Sequence, residues 1–70
     1  MKIKDFKRLF DCVGKMNKLK VVIYNMRTYE TIKEYEDYWN FYDDLSYEDY
    51  KLSKINGILL FENSIDLWVE

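Results

Sequence analysis

The sequence predicts a single small α+β domain, in which an N-terminal amphipathic helix packs on a small antiparallel β-sheet of three to four strands. Three observations predict this fold class: apolar residues at helical spacing near the N-terminus, a β-branched run near residue 20, and short apolar runs between turn residues in the last third. The 70 residues are enough for one domain, spanning 1–70.

The N-terminal segment has the pattern of an amphipathic helix. Its apolar side chains recur at three- and four-residue spacing, and charged side chains fill most of the other positions. We expect the helix to end at Gly14, because glycine commonly follows the last helical turn. The apolar set is Ile3, Phe6, Leu9, Phe10 and Val13.

The middle of the chain predicts a strand and then a region with two interpretations. Residues 19–25 are rich in β-branched side chains, which indicates a buried strand. Over residues 28–45, Thr31 and Glu34 fit a capping box at the start of a helix. Alternatively, a strand at 30–36 precedes a possible short second helix capped by Asp37.

The C-terminal third predicts a meander of three strands. Asn56-Gly57 is a strong hairpin signal, because both residues tolerate positive φ, and Asn63-Ser64 is a weaker one. These turns would pair Ile55 with Ile58 and Leu60 with Leu67. The predicted strands cover about 50–55, 58–62 and 65–70.

Alternation along these strands gives two apolar faces. One helix can cover only one face, so residues 37–45, a partner or a second copy of the chain must cover the other. Self-association of the second face would give a homodimer. The first face holds Ile55, Ile58, Leu60, Ile65, Leu67 and Val69, and the second holds Tyr50, Leu52, Leu59, Phe61 and Trp68.

The composition argues against catalysis, metals and cofactors. There is no histidine, so a neutral-pH general base would need a strongly shifted carboxylate or lysine, and Cys12 has no partner. The carboxylates at 43–49 lack the alternating pattern of a calcium loop. A lone cysteine, no signal-peptide pattern and no membrane-length apolar run predict a cytoplasmic protein without membrane contact. We therefore expect no enzyme activity, no metal site and no cofactor.

The charges are unevenly distributed. Residues 1–20 carry seven basic and two acidic side chains, whereas residues 21–53 carry three basic and eight acidic ones. The basic helix could contact phosphates. Because the whole chain has a net charge of −2, we treat direct nucleic-acid binding as the alternative function. Its residues would be Lys2, Lys4, Lys7 and Arg8.

The acidic-aromatic stretch is the main candidate for binding a partner protein. Tyr and Trp anchor protein interfaces, and carboxylates complement basic surfaces. About half of these aromatics must be core, and we expect Tyr38, Trp39 and Tyr42 to be exposed. The predicted partner-binding residues are Glu36, Asp37, Tyr38, Trp39, Tyr42, Asp43, Asp44, Glu48 and Asp49.

The order of these segments resembles the small accessory proteins of phages and mobile elements of AT-rich Gram-positive bacteria. The matching patterns are IKDF…LF, VVIYN, YEDYWNFYDDLSYEDY, ILLF and IDLWV. The resemblance favours a strand at 30–36. It implies an anti-CRISPR-like or other anti-defence inhibitor that occupies a nucleic-acid-binding surface of a host protein, and it assigns no residue a role.

Overall fold

The computed structural model describes residues 1–9, 18–46 and 54–70, and these residues form the predicted α+β architecture. The predicted continuation of the first helix to Gly14, and most of the predicted strand at 50–55, lie outside the described residues. The elements are α1 (Ile3–Leu9), β1 (Lys20–Asn25), β2 (Thr31–Tyr35), α2 (Tyr38–Asp43), β3 (Ile55–Leu60) and β4 (Ser64–Val69).

The sheet is mixed rather than wholly antiparallel. Its order is β2-β1-β4-β3, and the β1–β2 and β3–β4 pairs are antiparallel, as predicted. The central pair, β1 and β4, is parallel. This pairing sets Ile65 beside Val21 and Leu67 beside Ile23, so the most apolar positions of the two central strands share one face.

Both helices lie on that same face of the sheet. α1 contributes Ile3 and Phe6 to the buried cluster, and α2 contributes Tyr38 and Phe41. Residues 37–45 therefore do not cover the second face, which was one of the three possibilities, and no described helix packs there. The strand residues of the cluster are Val21, Ile23, Tyr35, Ile55, Ile65, Leu67 and Val69.

The structure resolves the two interpretations of residues 28–45. The strand-then-helix interpretation is confirmed: β2 ends at Tyr35, and Asp37 has the extended backbone of a helix N-cap with φ −143° and ψ 165°. The capping-box helix beginning near Thr31 is wrong. Pairing of β2 with β1 places Tyr35 opposite Val21 and buries its ring, which a helix at these positions could not do.

The predicted turn at Asn56-Gly57 is wrong. Both residues lie inside β3, Gly57 does not have a positive φ, and Ile55 pairs with Val69 while Gly57 pairs with Trp68. Asn56 is thus the extra residue of a β-bulge. Continuing the strand through this dipeptide keeps Ile55 buried opposite Val69, and this tertiary contact overrides the local turn preference.

The second predicted turn is present, but the pairing of β3 with β4 is shifted by two residues from the predicted register. Phe61 N donates to Ser64 O at 2.8 Å, so Leu60 pairs with Ile65 rather than with Leu67. A shift of two residues preserves the faces of a strand, and the described members of the two predicted sets remain on their predicted faces, whereas Tyr50 and Leu52 lie outside the described residues. Ile58 and Leu60, however, are exposed rather than buried, because they lie on the outer strand of the described sheet.

Gly57→Ala tests whether Gly57 lies in an extended strand beside a bulge or has the positive φ of a hairpin turn. A Cβ at Gly57 would meet its nearest atoms, Trp68 Cβ and Met26 Cε, at 3.5 and 3.6 Å, which is ordinary contact. We expect the free energy of unfolding, measured by urea denaturation, to stay constant or rise by up to about 1 kcal/mol, because alanine restricts the unfolded chain. A clear loss of stability would instead indicate the positive φ of a hairpin turn.

Candidate protein-binding surface

Phe41 fixes α2 on the sheet. Its ring centroid lies 6.0 Å from that of Phe6 in α1, 5.6 Å from that of Tyr35 in β2 and 5.5 Å from that of Tyr38. Tyr38 and Phe41 are three positions apart and share the inward face of the helix. Tyr38 is only 2% exposed, so the prediction that it is an exposed member of the binding surface is wrong.

Asp37 caps the N-terminus of α2. Its carboxylate accepts hydrogen bonds from Asn40 N at 2.8 Å and from Asn40 Nδ2 at 3.3 Å. Such a cap satisfies backbone donors that a helix start leaves without partners. The predicted partner-binding residue Asp37 thus has a role in the fold of this short helix.

Asp44 follows α2, and its carboxylate is also used within the fold. Tyr35 Oη donates to it at 2.6 Å, and Ser46 N donates to it at 2.9 Å. Hydrogen bonds from Ser46 and then from Tyr35 lower the pKa of Asp44 from 3.8 to about 2, because they stabilise the charged form. The carboxylate of Asp44 therefore makes hydrogen bonds within the chain at the C-terminal end of α2.

Lys7 joins α1 to α2 and is not on the solvent-facing side of α1 as predicted. It is 4% exposed, its ammonium donates to the backbone oxygen of Asp44 at 2.6 Å, and it lies 5.0 Å from the centroid of the Phe41 ring. The long apolar stem lets this side chain be buried while its charge reaches a helix C-terminus. The alternative nucleic-acid face keeps Lys2, Lys4 and Arg8 exposed.

The outward side of α2 carries the exposed part of the acidic-aromatic stretch. Trp39 is 43% exposed, and its ring contacts half-buried Tyr42 edge-on at 5.7 Å. Glu36, Asn40 and Asp43, each within four residues of Trp39 in the chain, are exposed. We call Glu36, Trp39, Asn40, Tyr42 and Asp43 the α2 surface. Glu48 and Asp49, also predicted to bind a partner, lie outside the described residues.

A second aromatic group lies on the sheet face away from the helices. Tyr24 stacks on Trp68 with centroids 4.5 Å apart, and Tyr29 contacts Trp68 edge-on at 6.0 Å. Sequence reasoning placed Trp68 on this face but missed both tyrosines. Alternation along β1 could have located Tyr24, whereas Tyr29 depends on a turn in which its φ is 62° and its N–H donates to Asn25 O at 2.8 Å.

The α2 surface consists of aromatic and carboxylate side chains together with the amide of Asn40. Among residues 1–9, 18–46 and 54–70, no three His, Cys, Asp or Glu side chains are placed to hold a metal ion. Within the same ranges no helix has the length and apolar character to cross a membrane. What the α2 surface can supply is an aromatic anchor and carboxylates.

Comparison of the chain with protein families, with curated proteins and with solved structures finds no match.

Lys7→Met tests whether the buried ammonium stabilises the contact between the helices. The substitution keeps an unbranched apolar stem but removes the donor to Asp44 O. We expect a loss of about 1–3 kcal/mol in the free energy of unfolding, since the half-buried backbone oxygen of Asp44 loses a charged partner. Lys4→Met, at an exposed position of the same helix, should change it by less than about 0.5 kcal/mol. Equal effects of the two substitutions would contradict this role.

Asp44→Asn tests the lowered pKa through the pH dependence of stability. In the unfolded chain this carboxyl titrates near 3.8, and in the folded chain near 2, so the unfolded state binds more protons between these values. The stabilisation is present above 3.8 and is lost as the pH falls towards 2. In urea unfolding at a series of pH values, the stability difference between wild type and Asp44→Asn should narrow over this range.

Tyr35→Phe is the control for that titration. It removes the Tyr35 donor to Asp44 and leaves those of Ser46, so the pKa of Asp44 should rise towards its ordinary value and the free energy of unfolding should depend less on acid pH. If the difference between wild type and Asp44→Asn stays constant as the pH falls, Asp44 does not have a lowered pKa.

Proposed function

We propose that this chain is a non-enzymatic protein-binding module that contacts a basic surface of a partner protein through the α2 surface. The observation that carries the proposal is the exposed Trp39, which lies close in the chain to exposed carboxylates. Its helix packs on the sheet through its inward face and makes side-chain hydrogen bonds at both ends. The inward residues, the Asp37 cap and the Asp44 hydrogen bonds leave α2 little freedom to rearrange.

A fixed aromatic anchor suits protein recognition. Tryptophan and tyrosine are enriched among the residues that contribute most of the binding energy at protein interfaces. The edge-on contact with Tyr42 restrains the Trp39 ring before a partner arrives. Less conformational entropy is then lost on binding, and this favours affinity without a large interface.

The charges indicate the chemistry of the partner. Glu36 and Asp43 are exposed, whereas Asp37 and Asp44 make hydrogen bonds within the chain. Exposed carboxylates around an aromatic anchor complement the lysine- and arginine-rich surfaces with which proteins hold nucleic acids, and they accelerate encounter with such surfaces. Occupying such a surface would exclude DNA or RNA by steric overlap and by charge repulsion.

The partner we propose is a nucleic-acid-binding protein in the cytoplasm of a bacterial host, and the chain would act as its inhibitor. The acidic character of the α2 surface supports a basic partner. The more specific identity, a phage or mobile-element inhibitor of a defence protein such as a CRISPR effector, is supported by the sequence resemblance alone.

The test is a comparative pull-down from a lysate of an AT-rich Gram-positive bacterium. Tagged wild type and variants are eluted in salt steps, and the captured proteins are quantified by mass spectrometry. We expect one protein to be retained by wild type and lost with Trp39→Ala, at a cost of about 2 kcal/mol or roughly thirtyfold in Kd. Leu45→Ala, at another exposed apolar position, should retain it.

Charge reversal separates electrostatic recognition from a general charge effect. Asp43→Lys on the α2 surface and Glu30→Lys outside it change the net charge equally, and both side chains are exposed. The captured protein should be lost with Asp43→Lys and retained with Glu30→Lys. Equal retention by all variants would refute binding through the α2 surface. Recovery of nucleic acid alone, lost at moderate salt, would favour the alternative through Lys2, Lys4 and Arg8.

A further inference from the structure

The outer edge of β3 has unpaired backbone groups in the described sheet. Phe61 N donates to Ser64 O on the β4 side, and donors in an antiparallel strand alternate between its two sides. The N–H and C=O groups of Ile58 and Leu60 therefore point away from β4. At the start of the strand the same edge is covered, since Ile55 N donates to Met1 O at 2.6 Å and Lys2 bridges Lys54.

The side chains along this open edge are apolar and exposed. Ile58, Leu59, Leu60 and Phe61 are 38%, 49%, 64% and 55% exposed. Edge strands of monomeric proteins are usually protected by charges, prolines or bulges that prevent pairing with another chain. Here the bulge at Asn56 precedes the open part, and residues 57–61, which we call the β3 edge, carry no charge.

We propose that the β3 edge pairs antiparallel with the β3 edge of a second copy of this chain, so that two four-stranded sheets form one continuous sheet. In this register Leu59 lies opposite the partner's Leu59, Ile58 opposite the partner's Leu60, and Gly57 opposite the partner's Phe61. The outward N–H and C=O groups of Ile58 then form hydrogen bonds with those of the partner's Leu60, and those of Leu60 with the partner's Ile58, as in an antiparallel ladder.

Self-complementarity argues for a second copy of the chain rather than another occupant. The two ends of the edge carry opposite charge: Lys2 and Lys54 at its start, and Glu62 just past its end. Antiparallel pairing brings each basic end near the acidic end of the partner, within reach of diagonal contacts between strands. Parallel pairing would put like charges together.

Shape adds to the charge argument. A depression of about 270 Å³ lies at the start of the edge, lined by Met1, Ile55, Asn56, Gly57 and Ile58. The protruding side chains Leu60 and Phe61 lie at the other end. Antiparallel pairing brings the apolar end of each copy to the depression of the other, and covers Gly57 with the partner's aromatic ring. Met1 occupies the edge beside Ile55, which limits the ladder to residues 57–61.

Such a dimer would leave the proposed binding surface accessible. α2 packs over β1 and β2, and β2 is the opposite edge strand of the sheet from β3. Pairing through β3 therefore places the two α2 surfaces at the two outer ends of the joined sheet. The dimer would present two equivalent binding surfaces, although the proposal does not depend on what they bind.

Sedimentation over a series of concentrations, with hydrogen exchange of the backbone amides, tests the pairing. We expect a monomer–dimer equilibrium in which the amides of Ile58 and Leu60 become protected as the dimer forms. Leu59→Lys puts like charges opposite each other at the twofold axis and should weaken dimerisation about tenfold or more. Leu45→Lys, at an exposed position outside the edge, should dimerise like wild type.

Mixing two charged variants makes the test specific for this register. Leu59→Lys and Leu59→Glu should each dimerise at least about tenfold more weakly than wild type when alone and form a heterodimer together, because the opposite charges then face each other. Circular dichroism and thermal unfolding check that both are folded. If either is not, the pair Leu60→Lys and Ile58→Glu replaces them, because these two exposed positions face each other across the proposed ladder and the mixture should again associate. The proposal is overturned if the wild-type chain stays monomeric, if Leu59→Lys dimerises as strongly as wild type, or if the mixture of the two variants fails to associate. Protection of Ile58 and Leu60 amides at all concentrations would mean that the chain covers its own edge.

Discussion

The packing of α1 and α2 on one face of the sheet is the constraint on which the rest of this structure depends. Phe41 is central to it, since its ring contacts both α1 and β2, and the Lys7 ammonium lies over it. The described helices have seven and six residues, and all their buried apolar side chains belong to a single cluster on that face. On the helix-covered face these helices bury residues of all four strands but not Ile58 and Leu60 of β3, and no described helix packs on the other face.

This one-sided packing divides the acidic-aromatic stretch by role. Residues that face the sheet, Tyr38 and Phe41, are core, and the two carboxylates next to the helix ends, Asp37 and Asp44, accept hydrogen bonds. Among the described residues of the stretch, the side chains on the outward side of α2 remain available to a partner. A helix that is so closely fixed presents Trp39 and Asp43 in a defined arrangement, and the same contacts that stabilise the fold thereby prepare the proposed binding surface.

The outer strand shows the other consequence of a small core. Ile58 and Leu60 belong by alternation to the helix-covered face, yet they are exposed because they lie beyond the buried cluster. Apolar side chains and outward backbone groups then coincide on the β3 edge. Chains of this size often gain stability from a second subunit. Pairing of this edge with its own copy would extend the hydrogen-bonded ladder without disturbing either helix.

The sequence by itself determined the fold class, the first helix, β1 and the faces of β4, because hydrophobic periodicity is a local property that survives an error in register. It also indicated the strand and capped helix at 31–43 as one of two alternatives, and it located Trp39 and Asp43 in the candidate site. Tertiary structure alone decided the parallel β1–β4 pairing, the bulge at Asn56 and the burial of Lys7. Each of these depends on a contact between residues far apart in the chain. Pairing of Ile55 with Val69 overrides a local turn signal. The backbone oxygen of Asp44 accepts a hydrogen bond from Lys7, which the helical pattern of α1 assigns to solvent.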